Sequence, residues 1–361
     1  MIKLIHCADL HLDSPFAGLA PEQAALRRAE QRDLLDRLCD LAQDEGADLV
    51  LLSGDLFDSR QIYRETVDAL AAALGRVPVP VFLAPGNHDP YGPLSPYALP
   101  IWPDNVHIFT SSVPEGVDLP SLGCTVYGAA FTSEHPARSP LVGFHAPRDG
   151  RVHLMTLHGD VGGTDYGPLS VSDIADSGLT YLALGHVHQT GGLQRAGDTF
   201  WAYSGCPEGR GFDETGDKGA LVVTIDGGVT AEFRPLCRRR YHVITADLTG
   251  AADALTAVES VLPRDARQDV VRLELRGQFA MEPSALDSLR ASLAGRFYAL
   301  DIRDHTLMPR DLWARAGEDS LTGLFLRAMQ ERCAREPDNE VFQQAARFGL
   351  IALERGEDVS L

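Results

Sequence analysis

Residues 48–58, DLVLLSGDLFD, combine a short apolar run with an abrupt polar exit. The run from Leu49 to Leu52 is continuously apolar, which is typical of a strand buried on both faces. Gly54 ends the run, and the carboxylates of Asp55 and Asp58 follow it. The stretch predicts a layered α/β fold whose functional groups lie in loops at strand ends.

Strands and helices alternate on both sides of this stretch. Residues 1–8 and 79–84 have the apolar character of strands, whereas 22–45 and 66–74 indicate helices. More closely spaced strands are expected at 122–131, 151–157, 179–184, 199–204 and 219–225. Two packed mixed sheets flanked by helices are the simplest architecture that accommodates this order.

The composition changes near Pro235, and a second pattern begins. Strands and helices are then predicted in the order β-α-β-α-β, at 241–248, 251–262, 269–276, 283–295 and 297–303. Two further helices, at 318–334 and 339–355, follow, and the apolar face of the last one either packs in a core or docks a partner. We expect three parts: a main catalytic domain at 1–235, a small α+β capping domain at 236–310, and a C-terminal helical segment at 311–361.

The chain has 361 residues and a formal net charge of −19. A protein that binds nucleic acid through charge alone would be basic, and this chain repels polyanions at long range. Contact with nucleic acid would therefore need local basic groups, bound metal or a partner. The candidates for such contact are the run Arg238–Arg240, the pair Arg60 and Arg64, and the pair Arg210 and Lys218. The last pair lies on a glycine-rich loop and could contact phosphates.

No apolar run approaches the roughly 18 residues needed to cross a bilayer. The N-terminus reads directly into a strand and lacks the features of a signal peptide. These two observations predict a soluble cytoplasmic protein that does not enter a membrane. The six cysteines show no CxxC pair, so neither a disulfide framework nor a zinc finger is expected.

Five short polar motifs occur at predicted strand ends. In chain order they are Asp9-Leu10-His11, Gly54-Asp55-Leu56-Phe57-Asp58, Gly86-Asn87-His88-Asp89, His158-Gly159-Asp160 and Gly185-His186-Val187-His188. Each motif alone is a weak signal, but the ordered set is specific. Carboxylate, amide and imidazole groups in this number predict a centre for two divalent cations, which can activate water and stabilise a phosphoryl transition state.

The ligand types suggest how such a centre would be built. Two cations need a bridging carboxylate, and Asp55 suits this role because it follows a buried strand and a glycine. In an extended segment Asp9 and His11 point to one face, and His186 and His188 share that spacing. The remaining ligands offered are the amide oxygen of Asn87 and the imidazole of His158. The mixture of oxygen and imidazole favours Mn²⁺, Fe²⁺ or Zn²⁺ over Mg²⁺.

His88 adjoins a ligand without needing to be one. Its expected role is to contact phosphoryl oxygens or to protonate the leaving alkoxide, with the Asp58 carboxylate orienting its imidazole. Asp89 and Asp160 are interpreted as supporting groups. The other histidines match no motif and are expected to be structural: His6, His107, His135, His145, His153, His242 and His305.

These motifs resemble the calcineurin-like metallophosphoesterase superfamily. The opening at residues 6–16 and the segment at 205–219 resemble more closely the SbcD/YhaO-type branch of DNA-repair exonucleases. The resemblance implies a four-layer α/β/β/α sandwich, followed by a small capping domain and a C-terminal partner-binding segment. It also implies manganese dependence, a homodimer and a coiled-coil ABC-type ATPase as partner.

The resemblance further implies an assignment of ligands to two ions. The first ion would be held by Asp9, His11, Asp55 and His188, and the second by Asp55, Asn87, His158 and His186. The set is complete, and His88 paired with Asp58 would be the catalytic, non-ligand pair. The function implied is metal-dependent hydrolysis of DNA, as an exonuclease with possible endonuclease activity.

Three alternatives stay open from the sequence. The same fold could carry a phosphodiesterase or nucleotidase of small molecules, which the acidity favours. A protein phosphatase is disfavoured because Ser59 follows Asp58 and because the third motif ends in Asp89 instead of glutamate. A non-enzymatic scaffold that docks a partner through its last helices is the third alternative, and the complete ligand set argues against it.

Overall fold

A computed structural model describes residues 1–16, 19–59, 62–98, 102–136, 138–279, 281, 283–307, 313–336 and 340–355. In chain order its strands are β1 (Ile2–Cys7), β2 (Leu49–Leu52), β3 (Val81–Leu83), β4 (Val106–Ile108), β5 (Glu115–Leu119), β6 (Cys124–Gly128), β7 (Val152–His158), β8 (Tyr181–Gly185), β9 (Gln194–Ala196), β10 (Thr199–Tyr203), β11 (Gly219–Ile225), β12 (Val229–Pro235), β13 (Tyr241–Asp247), β14 (Val270–Arg276) and β15 (Ala299–Asp304). Its α-helices are α1 (Pro21–Asp44), α2 (Arg64–Gly75), α3 (Val171–Asp176), α4 (Ala254–Val261), α5 (Pro283–Leu293), α6 (Leu321–Arg335) and α7 (Glu340–Arg355).

Two six-stranded sheets form the main body. The first sheet has the order β12-β11-β1-β2-β3-β4, and the second has the order β5-β6-β7-β8-β10-β9. The strands β1, β2, β3 and β4 run parallel, as do β6, β7, β8 and β10. Antiparallel strands extend the parallel core of the first sheet on the side of β1 and that of the second sheet on both sides. Both sheets are therefore mixed, as the sequence predicts.

The sheets stack as the inner layers of a four-layer sandwich. Between them lie side chains such as Leu51 and Phe82 from the first sheet and Leu154 and Ala183 from the second. The opposite face of the first sheet packs against α1 and α2, and the outer face of the second sheet packs under α3. The predicted α/β/β/α arrangement is confirmed. Interior strands are apolar on both faces because each face meets another layer.

Four strands of these sheets were not expected from the sequence, and all four are edge strands. They are β4 and β12 in the first sheet and β5 and β9 in the second. An edge strand has one neighbour and often one open face, so it lacks the continuous apolar run of an interior strand. β5, for example, has no fully buried residue. The interior strands all coincide with predicted ones.

The chain divides into two compact units. The first comprises 1–243, 266–272 and 297–300, and the second comprises 244–265, 273–296 and 301–361. A third, three-stranded sheet has the order β13-β14-β15, and its connections contain α4 and α5 in the predicted β-α-β-α-β order.

The last two helices, α6 and α7, contact each other, and a small core forms around Leu326 and Leu350. Parts of the expected C-terminal segment, at 311–312, 337–339 and 356–361, lie outside the described residues. The division into three domains stays a prediction. All six cysteines are free, and none of the helices in the described part of the chain is long and apolar enough to cross a membrane.

Candidate metal centre

The loops that follow five interior strands converge at one edge of the sandwich. Asp9, Asp55 and Asn87 follow β1, β2 and β3, whereas His158 ends β7 and His186 follows β8. These strands lie side by side within each sheet, and the carboxyl ends of parallel strands meet at the same edge, where α/β folds bind their ligands. The fold therefore brings all seven predicted metal-ligating residues into one unit of the chain, 1–243.

One group of ligand atoms consists of Asp9, His11 and His188, whose atoms all lie within 4.8 Å of one another. The Nε2 atoms of His11 and His188 are 3.2 Å apart, and His188 Nε2 lies 3.9 Å from Asp9 Oδ1. Asp55 adjoins this group, since its Oδ2 is 3.8 Å from His11 Nε2.

The second group lies on the other side of Asp55. The Nε2 of His158 lies 3.4 Å from Asp55 Oδ2 and 2.8 Å from Asn87 Oδ1, and His186 Nδ1 lies 3.2 Å from the same amide oxygen. Asp55 thus contacts imidazoles of both groups. This is the position that a carboxylate bridging two ions requires.

The donor atoms fit divalent cations. Asp9 and Asp55 are 0% and 2% exposed, so two carboxylates share a buried space with imidazole nitrogens directed at them and at each other. Buried carboxylates at such density need cationic compensation. The mixture of oxygen and imidazole suits the first-row metals named above more than Mg²⁺. The assignment of individual ligands to two ions stays a prediction.

The pKa shifts within the cluster also favour a bound cation. Burial opposes the charge on Asp55, but the neighbouring His158 and His11 hold the pKa of that carboxyl well below its usual range. Burial alone would lower the pKa of His158, yet the charge of Asp55 raises it to about 9. The buried site therefore favours positive charge next to Asp55, as a bound divalent cation would supply.

The backbone at the ligands is unusual. Asp9, His11, Asp55 and His186 have φ angles of 56°, 44°, 51° and 112°, a region that residues other than glycine rarely occupy. The expectation that Asp9 and His11 share one face of an extended segment is therefore wrong, because β1 has ended at Cys7. Strain of this kind costs about 1–3 kcal/mol per residue and is concentrated at functional sites.

Two glycines are needed because the loops approach one another closely. A Cβ atom on Gly86 would lie 2.2 Å from Asp55 Oδ1, and one on Gly185 would lie 2.0 Å from the carbonyl oxygen of Ser53. Either methyl group would displace the loop that carries Asp55 or the strand end behind it. The glycines of the motifs are thus part of the geometry that assembles the ligands.

The Asp58 carboxylate does not hold His88 as expected. His88 Nδ1 donates instead to the main-chain carbonyl oxygen of Asp58 at 2.9 Å. The carboxylate lies 3.2 Å from His11 Nδ1 and accepts from Arg210 Nη1 at 2.9 Å. Asp58 therefore orients His88 through its backbone and supports the ligand His11 through its side chain.

Lys218 and Arg210 were expected to contact phosphates, but in the structure both bind groups of the protein itself. Lys218 is 3% exposed, and its Nζ donates to the His188 carbonyl oxygen and to Gln189 Oε1, both at 3.0 Å. Arg210 is bound between Asp58 and Glu214. Both cations stabilise the loops that carry ligands, since the nearest acceptors within the protein already satisfy them.

Glu214 is a residue of this site that no sequence motif indicated. Its Oε1 lies 2.6 Å from His188 Nδ1 and accepts from Arg210 Nη2 at 2.7 Å. A carboxylate on the remote nitrogen of a ligating histidine fixes the ring and raises its basicity. Its presence in the glycine-rich segment at 205–219 was the available signal, but no spacing rule links that segment to His188.

The centre opens into a cleft of about 410 Å³. The described residues that line it are Asp58, Ser59, Asn87, His88, Glu134, His135 and Tyr166. Among these lining residues two are acidic and none is Lys or Arg. His88 is exposed to this space, so a substrate in the cleft would meet its imidazole.

A two-sheet sandwich with carboxylate, amide and imidazole ligands at its strand ends defines a metal-dependent phosphoesterase. The sequence pattern of the family described as calcineurin-like phosphoesterase matches residues 2–190 of the chain. The chain belongs to this calcineurin-like phosphoesterase family, whose members use a dinuclear metal site.

Relatives within the family include nucleases. The chain is 31% identical over 296 residues to the uncharacterized metallophosphoesterase YhaO of Bacillus subtilis (strain 168), covering 76% of this chain and 72% of YhaO. It is 27% identical over 282 residues to SbcD of the SbcCD nuclease of the same organism, covering 64% of this chain and 68% of SbcD. It is also 27% identical over 243 residues to the DNA double-strand break repair protein Mre11 of Saccharolobus solfataricus, covering 62% of this chain and 60% of Mre11.

Proposed function

We propose that this phosphoesterase is a metal-dependent phosphodiesterase acting on DNA, with exonuclease activity at DNA ends. The observation that supports this most is the joint occurrence of the complete ligand cluster and nuclease relatives that cover about two thirds of the chain. Asp9, His11, Asp55 and His188 would hold one ion, and Asp55, Asn87, His158 and His186 the other. The bound ions, with Mn²⁺ as the proposed metal, would supply activated water and neutralise phosphoryl charge.

We propose His88 as the proton donor to the leaving oxygen. A carbonyl oxygen only accepts, so the 2.9 Å contact with the Asp58 main chain places a proton on Nδ1 of His88. This leaves Nε2 facing the substrate in the cleft, and only in the imidazolium form would Nε2 also carry the proton that the leaving oxygen takes up. The main-chain N–H of His88 donates to Asp55 Oδ1 at 2.9 Å, which holds the backbone of His88 next to the ligand cluster.

The assay for this proposal compares substrates on one protein preparation. We expect Mn²⁺-stimulated degradation of linear DNA, and His88→Ala should lower its rate by about 10²–10⁴, the usual contribution of a positioned general acid. His305→Ala, which removes an exposed histidine outside the first unit, is the matched control and should keep the full rate. Metal-loaded protein that leaves linear DNA intact would contradict the proposal.

A phosphodiesterase or nucleotidase of small molecules is the second candidate. The net charge of −19 favours it, as does a cleft whose described lining includes two acidic residues and no Lys or Arg, because both features disfavour a polyanion. Turnover of cyclic nucleotides in the same assay separates the two functions. Faster turnover of cyclic nucleotides than of DNA would favour this second candidate.

The same proposal extends to assembly and location. A relative named as one subunit of a nuclease supports a partner protein, and we propose a coiled-coil ABC-type ATPase together with a homodimer of this chain in the cytoplasm. Such a partner would supply the DNA affinity that an acidic chain lacks. Sedimentation of the purified chain, alone and with the candidate ATPase, tests the dimer and the complex.

A further inference from the structure

Two aromatic side chains, Tyr166 and His135, line the cleft together with His88. The ring of Tyr166 lies 5.2 Å from that of His186, with an interplanar angle of 36°. The ring of His135 lies 4.9 Å from that of Tyr166, at 39°. These three rings form a series that runs outward from a predicted metal ligand into the cleft. We call Tyr166 and His135 the ring pair.

Exposure increases along this series. His186 is half-buried, Tyr166 is 36% exposed, and His135 is exposed. Exposed rings leave apolar surface in contact with water, which is unfavourable unless a ligand covers them. From the sequence His135 is expected to be structural, yet it lines the cleft with Tyr166.

The loop that carries Tyr166 is braced by its own backbone. Leu169 N donates to the Asp160 carbonyl oxygen at 2.9 Å. Asp160 N in turn donates to the Tyr166 carbonyl oxygen at 3.1 Å. The Tyr203 hydroxyl also accepts from Val161 N at 2.8 Å. The ring of Tyr166 is therefore held in place by main-chain contacts that do not depend on its own side chain.

The charges at the cleft determine which ligand suits the ring pair. Phosphate chains are usually held by Lys and Arg, which are absent from the described lining of this cleft. Nucleobases, in contrast, stack on aromatic rings whatever the net charge, and each stacked base contributes about 1–3 kcal/mol. A nucleotide whose phosphate lies at the ligand cluster would have its base within reach of these rings.

We propose that the ring pair of Tyr166 and His135 is a stacking platform for the nucleobase next to the scissile phosphate, an inference that rests on the proposed phosphodiesterase function. A base within a duplex is already stacked and paired, and releasing it costs a few kcal/mol. The platform therefore selects nucleotides with an accessible base, which are single-stranded or frayed ends.

The test uses two chromogenic diesters that differ only in the nucleoside. They are thymidine 5′-(4-nitrophenyl) phosphate and methyl 4-nitrophenyl phosphate. Tyr166→Ala and His135→Ala should each lower kcat/KM for the thymidine ester by about 5- to 150-fold, through KM, which is the fold-change equivalent to one stacked base. Both variants should leave the methyl ester within twofold of wild type.

Two controls separate stacking from structural damage. Tyr166→Phe keeps the ring and should retain wild-type KM, and Tyr63→Ala removes an exposed tyrosine that does not line the cleft. Bound Mn²⁺ per chain, measured on Tyr166→Ala, should equal that of wild type. Equal losses on both esters, or lost metal, would show that Tyr166 supports His186 instead and would overturn the platform.

The outcomes also distinguish this inference from the proposed function. Wild-type protein that cleaves both esters but not DNA would refute the nuclease and leave the platform test intact. An active DNase whose ring-pair variants bind the thymidine ester normally would refute the platform alone. Cleavage of neither the esters nor DNA would overturn both.

Discussion

Glu214 connects the metal ligands to the rest of the chain. Its carboxylate is 4% exposed, and although burial opposes its charge, His188 and Arg210 hold its pKa well below the usual range. Arg210 continues the connection to Asp58, which lies against His11. The linked ion pairs of Glu214, Arg210 and Asp58 thus orient His188 and His11, two predicted ligands of the first ion.

Removing this charge should weaken metal binding. We expect Glu214→Gln to lower Mn²⁺ affinity by about 10- to 100-fold, because a neutral amide does not hold the His188 ring as a carboxylate does. Titration calorimetry on metal-free protein measures this. Asp213→Asn, an exposed neighbour, should bind as wild type, and unchanged affinity in Glu214→Gln would refute the positioning role.

A single added methyl group at Gly86 should also disable the centre. Its Cβ would meet Asp55 Oδ1 at 2.2 Å, so the candidate bridging carboxylate would have to move. For Gly86→Ala we expect metal affinity to fall at least about tenfold and the free energy of unfolding to fall by about 1–3 kcal/mol. Gly92→Ala, where a Cβ meets open space, is the control, and equal Mn²⁺ content in both variants would contradict the steric account.

The sequence indicated the candidate ligand side chains because their types and order are specific, but it could not indicate the conformation of their backbone. A left-handed conformation at Asp9 or Asp55 depends on contacts with loops far away in the chain. The same limit applies to Arg210 and Lys218. Their location on a glycine-rich loop gave no sign that Asp58 or the His188 carbonyl would engage them.

The helix α1 is anchored by a buried ion cluster. Glu30 accepts from Arg27 Nη1 at 2.7 Å and from Arg239 Nε at 2.9 Å, and Arg27 Nη2 donates to Glu208 at 2.8 Å. All four side chains are at most 7% exposed. Arg239 was a candidate for contact with nucleic acid, and the structure shows it engaged within the protein instead.

Breaking this cluster should destabilise the fold in a pH-dependent manner. Burial opposes the charge on Glu30, but Arg239 and Arg27 lower its pKa. Its stabilisation is thus fully present above the unfolded-state pKa of about 4.3 and is lost progressively as pH falls from there through the lowered pKa of the folded state. We expect Glu30→Gln to cost about 3–5 kcal/mol at pH 7, because Arg239 and Arg27 both lose the Glu30 carboxylate and only Arg27 keeps Glu208.

Urea unfolding at pH 7 and pH 4 measures this effect. The difference between wild type and Glu30→Gln should narrow at the lower pH, whereas Glu22→Gln, on the exposed face of the same helix, should change little at either. A wild-type free energy of unfolding in Glu30→Gln at pH 7 would show that the cluster is not stabilising.

The elements themselves were predictable wherever burial was complete. β2 and β8, apolar throughout and covered on both faces, coincide with predicted strands, whereas the edge strands β5 and β9 were missed. An edge strand is fixed by its one neighbour more than by its own composition. Hydrophobic periodicity therefore predicts the interior strands of each sheet but not its edge strands.

The net charge of the whole chain, −19, predicts an unusual response to salt. A basic nuclease loses affinity for DNA steeply as salt rises, because it releases counterions from phosphates. This chain repels DNA at long range, and salt screens that repulsion. Between 20 and 200 mM NaCl at fixed Mn²⁺, we expect KM for single-stranded DNA to change by less than about threefold. A rise of tenfold or more would indicate an undetected cationic DNA surface.

The proposed function depends on two ions bound in one pocket around Asp55. Crystals grown with Mn²⁺ and measured at the manganese absorption edge test this directly. We expect two anomalous peaks about 3.5–4 Å apart, with Asp55 between them and His11, His158 and His188 in contact. A single peak, or two peaks that do not share Asp55, would contradict the central claim.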